Sequence, residues 1–126
     1  MQSPEHLFIR QNRGYKRLKV SSIVYVEARK NFIKIVTTDG NYVVLATLGG
    51  LESLLPGTNI IRIHRSFLIN LSHLVAFDRE KAMMHETQIP LSEKYYKSLE
   101  EALILVGGKK QYYFKKQRGT DLIQLL

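Results

Sequence analysis

Ile23-Val24-Tyr25-Val26-Glu27, then Phe32-Ile33-Lys34-Ile35-Val36-Thr37, then Asp39-Gly40 and Tyr42-Val43-Val44-Leu45-Ala46: the order of these segments decides the fold class. The first is β-branched and apolar enough for a buried strand. The second alternates, with Phe32, Lys34 and Val36 on one face and Ile33, Ile35 and Thr37 on the other. Asp39-Gly40 is a strong hairpin signal, because a type I′ turn needs positive φ at its central residues. Tyr42 to Ala46 is the returning strand. The polar stretch Ala28-Arg29-Lys30-Asn31 therefore interrupts two strands as a loop held out by a sheet.

The same reading extends in both directions. Upstream, Leu7 to Gln11 and Tyr15 to Val20 alternate around the turn Asn12-Arg13-Gly14, which predicts another hairpin. Downstream, Leu48, Leu51, Leu54 and Leu55 follow helical spacing until Pro56-Gly57 stops them. Ile60 to Ile63 is extended, Leu74 to Phe77 and Ala82 to His85 form a hairpin turning near Asp78 to Lys81, and Gln88 to Leu91 is a short strand. Pro90 marks the last as an edge or a strand end. Ser92 is placed to cap a helix with Glu93 in its first turn and Leu99, Ala102 and Leu103 on one face, running to about Leu105. Gly107-Gly108 closes it. The remainder, with Tyr112-Tyr113-Phe114 between lysine pairs and apolar Leu122, Ile123, Leu125 and Leu126, is either a further strand or a basic tail. The organisation expected is one domain over 1–106 and a basic, aromatic extension over 107–126.

Between the central strands and the last hairpin lies Arg62-Ile63-His64-Arg65-Ser66-Phe67-Leu68-Ile69-Asn70. The apolar run Phe67 to Ile69 can anchor this segment in a core, leaving Arg62, His64, Arg65 and Ser66 to face a partner. The chain of 126 residues carries net charge +8 and a pI near 9.8, and the charge is segregated. Eight basic residues between Arg10 and Lys34 meet one acid, Glu27, and five between Gly107 and Leu126 meet one, Asp121. Such segregation makes a directional field that steers towards phosphates, although a charge run is by itself often only a solvated face.

Other chemistries lack support. There is no Cys, so neither a disulfide framework nor a thiolate metal site exists, which fits a reducing cytoplasm. The four His (His6, His64, His73, His85) have no metal-ligand spacing. Ser66, His64 and Asp78 could compose a nucleophilic set, but nothing around Ser66 resembles a nucleophile elbow. Gly49-Gly50 and Gly107-Gly108 lack a phosphate-loop context and read as turns and helix ends. No apolar run approaches the ~20 residues of a membrane span. The expectation is a cytoplasmic protein without catalytic site, cofactor, metal, small-molecule substrate or membrane contact.

The ordered set resembles a known family. Ile23 to Ala28, Asn31 to Ile35 and Asp39-Gly40 look like the first half of a LytTR domain; Leu51 to Pro56 followed by Ile61 to Asn70 looks like its centre; Ile89-Pro90-Leu91-Ser92 with Tyr95-Tyr96 looks like its end. The resemblance spans about Leu7 to Leu105. It implies a mainly β fold, an elongated arrangement of about ten short strands in small antiparallel sheets with one or two short helices. LytTR domains are bacterial DNA-binding modules, usually carried at the C-terminus of response regulators in two-component systems. They bind direct repeats in promoter DNA, bend it, and read bases from loops. What is implied is a sequence-specific transcription regulator whose partner is double-stranded DNA, with a homodimer on direct repeats as the matching assembly. No receiver domain fits before Leu7, so the resemblance implies either a stand-alone regulator or one domain of a longer protein.

Carried over by position, the resemblance implies base reading by Asn31 in the first loop, Arg65 in the second and Lys94 in the third. Asn pairs bidentately with adenine and Arg with guanine. Arg29 or Lys30 can reach guanine or phosphate, Arg62 and Ser66 suit phosphate oxygens, and His64 and Glu93 join them as supporting residues. Asn31 has a competing reading as a turn residue and His64 one as an internal hydrogen-bonding group. Glu93 stands where the family commonly has Arg, which shifts that loop's contact to Lys94 or its preference towards cytosine. Glu27 either holds the adjoining basic loop by an ion pair or is an ordinary strand-end carboxylate. A competing function, contact with a protein or an anionic surface, rests on the Lys-flanked aromatics Tyr112 to Phe114.

Overall fold

A computed structural model describes residues 3–108. The expectations for the tail from Lys109 onward, including Tyr112 to Phe114, lie outside the described residues. Among those described, ten strands form three antiparallel sheets, with two α-helices. The chain divides between Tyr96 and Lys97. All ten strands and the first helix belong to the N-terminal unit.

The centre is a five-stranded sheet ordered β5-β4-β3-β7-β6. It comprises β3 (Ile23–Ala28), β4 (Ile33–Thr37), β5 (Asn41–Val44), β6 (Ile60–His64) and β7 (Phe67–Asn70). Alternation in β4 sends Ile33, Ile35 and Thr37 inward and leaves Lys34 and Val36 half-buried, as period-2 pleating requires. Val26 pairs with Ile35 on one side and Leu68 on the other, and all three are essentially inaccessible. This row forms a core with Leu48, Leu51 and Leu55 of the α1 segment (helix Leu48–Ser53) and with Ile9 and Leu18 of the hairpin β1 (His6–Gln11) and β2 (Gly14–Lys19). At roughly 1.5–3 kcal/mol per buried aliphatic side chain, this cluster dominates the stability of the sheet. Asn12 turns the first hairpin at φ 51°, a region that Asn tolerates.

Two side chains hold the start of β3 and the residues just before it. Asn70, 2% exposed, donates from Nδ2 to the Ile23 carbonyl at 2.8 Å, and its Oδ1 accepts from Ser72 N at 3.0 Å. It thereby ties β7 to the start of β3 and caps the 3₁₀ turn Leu71–His73. Beyond that turn, His73 Nδ1 lies 3.1 Å from His85 Nε2, and His73 Nε2 lies 2.8 Å from the Ser21 carbonyl. His73 precedes a three-stranded sheet of β8 (Leu74–Phe77), β9 (Lys81–Met84) and β10 (Thr87–Pro90), in which Pro90 ends an edge strand.

Four local expectations change. The β4–β5 hairpin forms, but not through a type I′ turn: Gly40 has φ 154° while Asp39 does not enter positive φ. Thr37 organises it instead, its Oγ1 accepting from Asp39 N and Gly40 N at 3.1 Å each. Leu54 is 63% exposed, because the helix stops at Ser53 and Leu54 is its C-cap. Gly49 and Gly50 lie within α1, where the Thr47 hydroxyl caps the first turn by accepting from Gly50 N at 3.0 Å. The last helix, α2 (Glu93–Glu101), ends before Leu105. Its final bonds tighten, Ala102 N being shared between the Ser98 and Leu99 carbonyls, and Ile104 and Val106 beyond it are exposed and β-branched.

Candidate nucleic-acid interface

Antiparallel pairing sets the geometry of the site. Ala28 faces Ile33 across β3–β4, Glu27 faces Phe67 across β3–β7, and His64 faces Phe67 across β6–β7. Two connections must therefore emerge side by side at one end of the central sheet: Arg29–Phe32 and Arg65–Ser66. Main-chain bonds join them to the scaffold, Ala28 N donating to the Ser66 carbonyl at 2.8 Å and Arg29 N to the Phe32 carbonyl at 2.8 Å. Irregular pairing between Arg62 and His64 bends β6 at this end. Ser92 N donates to the Ile63 carbonyl at 3.0 Å, so the third segment also starts beside the end of β6.

Between the first two connections is an open groove of about 540 Å³. Arg29, Lys30 and Asn31 line one side, Arg62 and Arg65 the other, and Thr47 to Gly49 at the start of α1 also border it. Arg65, Lys30 and Asn31 are exposed, and their side chains have no partner among the described residues. Asn31 thus acts as neither a turn-bonding nor a capping residue, although it sits in the loop.

Three of the other predicted side chains, those of Arg29, His64 and Arg62, are engaged. Arg29 pairs with Glu27 at 3.2 Å, half-exposed, a contact worth at most about 1 kcal/mol. Burial, then the charge of Glu27, pushes the Tyr25 phenol above its usual value, with Arg29 opposing. Tyr25 packs against Phe67 with ring centroids 6.3 Å apart. His64 is half-buried, packs edge-on to Phe67, and accepts from Ser66 N through Nδ1 at 3.0 Å; it shapes the turn that presents Arg65. Arg62 does not point freely outward as a phosphate contact would. Its Nε and Nη2 donate to Glu52 Oε1 at 3.1 and 2.6 Å, and its Nη1 to the Arg65 carbonyl at 2.8 Å. A guanidinium carries five N–H donors in a fixed fork, and three are spent here. The structure does not bring Glu93 and Lys94 into the groove: Glu93 is exposed at the first turn of α2, and the Lys94 ammonium lies 5.4 Å from the Tyr95 ring centroid.

Sequence reasoning missed Glu52 and the start of α1 as parts of the site. One signal was available: Glu52 is the only acid between Asp39 and Asp78.

The family model of the LytTr DNA-binding domain matches residues 13–104. The chain belongs to the LytTR family. The LytTR match takes in both groove loops, α1 and all of α2. Among characterised relatives, the sensory transduction protein LytT of Bacillus subtilis is 30% identical over 87 residues, covering 64% of this chain and 36% of that protein. The transcriptional regulatory protein BtsR of Salmonella typhi is 29% identical over 93 residues, covering 68% and 38%. The chain thus spans little more than a third of these relatives. Among solved structures, the LytTr DNA-binding domain of a protein described as a methyl-accepting/DNA response regulator of Bacillus cereus superposes with a TM-score of 0.69 at 22% identity, covering 81% of this chain and 99% of that one. That likeness carries the fold: a mainly β LytTR arrangement of short strands in small antiparallel sheets with two helices. No described helix is long and apolar enough to cross a membrane.

Proposed function

We propose that this LytTR domain is the DNA-reading part of a bacterial transcription regulator, and that it reads base edges in the major groove from the Arg29–Phe32 and Arg65–Ser66 connections. The observation that carries the reading is that Arg65 and Asn31, from two different connections, border one groove with unengaged side chains. Arg65 is suited to guanine O6 and N7, and Asn31 to adenine N6 and N7. Lys30 supplies a phosphate contact. Arg29, Arg62, His64 and Ser66 support the two connections; Lys94, beside Glu93, extends the contact along the duplex. Two copies on a direct repeat are the assembly that such a module suits.

Selection of bound duplexes from a random pool tests this. The expected outcome is a short enriched motif, repeated at a fixed spacing if two copies bind together. On the selected site, Arg65→Ala should weaken binding by about 1–3 kcal/mol and relax preference at one position. Equal affinity of Arg65→Ala and the parent, or no enrichment from the pool, would remove Arg65 as a reader.

A further inference from the structure

Arg62 and Arg65 sit three residues apart at one hairpin end, yet only Arg65 is free to reach a partner. We propose that Glu52 is a positioning residue for DNA recognition: from α1, through the Arg62 guanidinium, it fixes the main chain that carries Arg65. The inference rests on the reading of Arg65 as a base contact.

The connection is continuous and rigid. Leu48, Leu51 and Leu55 are buried in the core, so the helix bearing Glu52 cannot move independently of the sheet. Both Arg62 Nε and Nη2 converge on Glu52 Oε1. Because the guanidinium is planar, these two contacts fix the direction of its third, from Nη1 to the Arg65 carbonyl at 2.8 Å. The Arg62 side chain is 19% exposed and that of Glu52 38%, so the pair is partly shielded from competition by water. The far side of the same turn is held by His64 Nδ1 on Ser66 N and by Ser66 O on Ala28 N. Arg65 thus leaves a main chain pinned on both sides, and the ordering is complete before a partner arrives.

Simple electrostatics predicts the opposite of what positioning predicts. A carboxylate beside a groove that meets phosphates repels them, and its pairing withdraws the Arg62 charge from the field. If Glu52 were only a nearby charge, neutralising it should tighten binding to every DNA. If it positions Arg65, neutralising it should weaken the specific complex while releasing Arg62 to phosphate, which strengthens the sequence-independent part.

The experiment compares Glu52→Gln with the parent on the selected duplex and on a scrambled duplex of equal length, across a salt series, with urea unfolding as a check on folding. The expected result is a loss of about tenfold on the selected site, unchanged or tighter binding to the scrambled duplex, and a salt slope steeper by about one counterion. Arg62→Lys, which keeps the charge but cannot form the fork, should lose the same discrimination, and it serves if Glu52→Gln is unfolded. An unchanged ratio of specific to scrambled affinity in a folded variant overturns the proposal, as does equal tightening on both duplexes. If Arg65→Ala loses discrimination while Glu52→Gln keeps it, the reading of Arg65 stands and Glu52 falls. If the parent itself does not discriminate, both fall.

Discussion

Replacing Asn70 by Ala should cost this domain about 3 kcal/mol. The side chain is 2% exposed, and its two hydrogen bonds serve the start of β3 and the 3₁₀ turn Leu71–His73. Its loss leaves the Ile23 carbonyl, on a residue with no exposed surface, without the 2.8 Å donor; an unsatisfied buried acceptor costs roughly 1–3 kcal/mol. Loss of the cap on the turn Leu71–His73 adds about 1 kcal/mol, reduced because Ser72 is exposed and its N–H can turn to water. Urea unfolding followed by circular dichroism should show the midpoint falling with the slope unchanged, and the melting temperature should drop by roughly 10–20 °C for a domain of this size. Asn70→Asp separates the two bonds. Its carboxylate still accepts from Ser72 N but faces the Ile23 carbonyl without a proton to donate. Its pKa is therefore raised in the folded state, and the deficit against the parent should shrink as the pH falls, the reverse of ordinary acid behaviour. A change below about 1 kcal/mol for Asn70→Ala would refute the claim that this side chain joins β7 to β3.

Leu68→Ala, in the paired row Ile35–Val26–Leu68, should destabilise the domain by about 2–5 kcal/mol in the same unfolding assay, and a loss below 1 kcal/mol would mean that the row is not the core. Hydrogen bonds from the Lys81 ammonium and from Glu80 N hold the Asp78 carboxyl down at about 2. Being depressed in the folded state, it favours the β8–β9 turn fully above about pH 4 and ceases to do so as the pH falls towards 2. A carboxyl ¹³C titration should place its midpoint well below the ordinary ~3.9, and an ordinary midpoint would show that the Lys81 contact does not persist in solution.

Local pattern made most of the fold legible. β-branched density in Ile23 to Val26 and alternation in Ile33 to Thr37 located the central strands, and Phe67 to Ile69 read as an apolar anchor, which the structure shows as β7. The polar breaks between these runs located both groove loops, because a sheet whose buried face is fixed can place polar connections only at its ends. What escaped depends on contacts that no period encodes. Arg62 reads as a free cation until the fold brings Glu52 to it from ten residues upstream. The β4–β5 turn was assigned to Asp39-Gly40 chemistry, but the Thr37 hydroxyl competes for the same amides. The end of α2 was carried too far because Leu103 and Leu105 continue the apolar spacing, whereas Ile104 and Val106 find no burial.

The contact of Ser21, His73 and His85 has a consequence for where protons reside. A carbonyl can only accept, so His73 must carry its hydrogen on Nε2. In an uncharged ring that leaves Nδ1 as a lone pair, and His85 must then present its hydrogen from Nε2. Both imidazoles are thereby committed to a single tautomer by one peptide oxygen in a different segment of the chain.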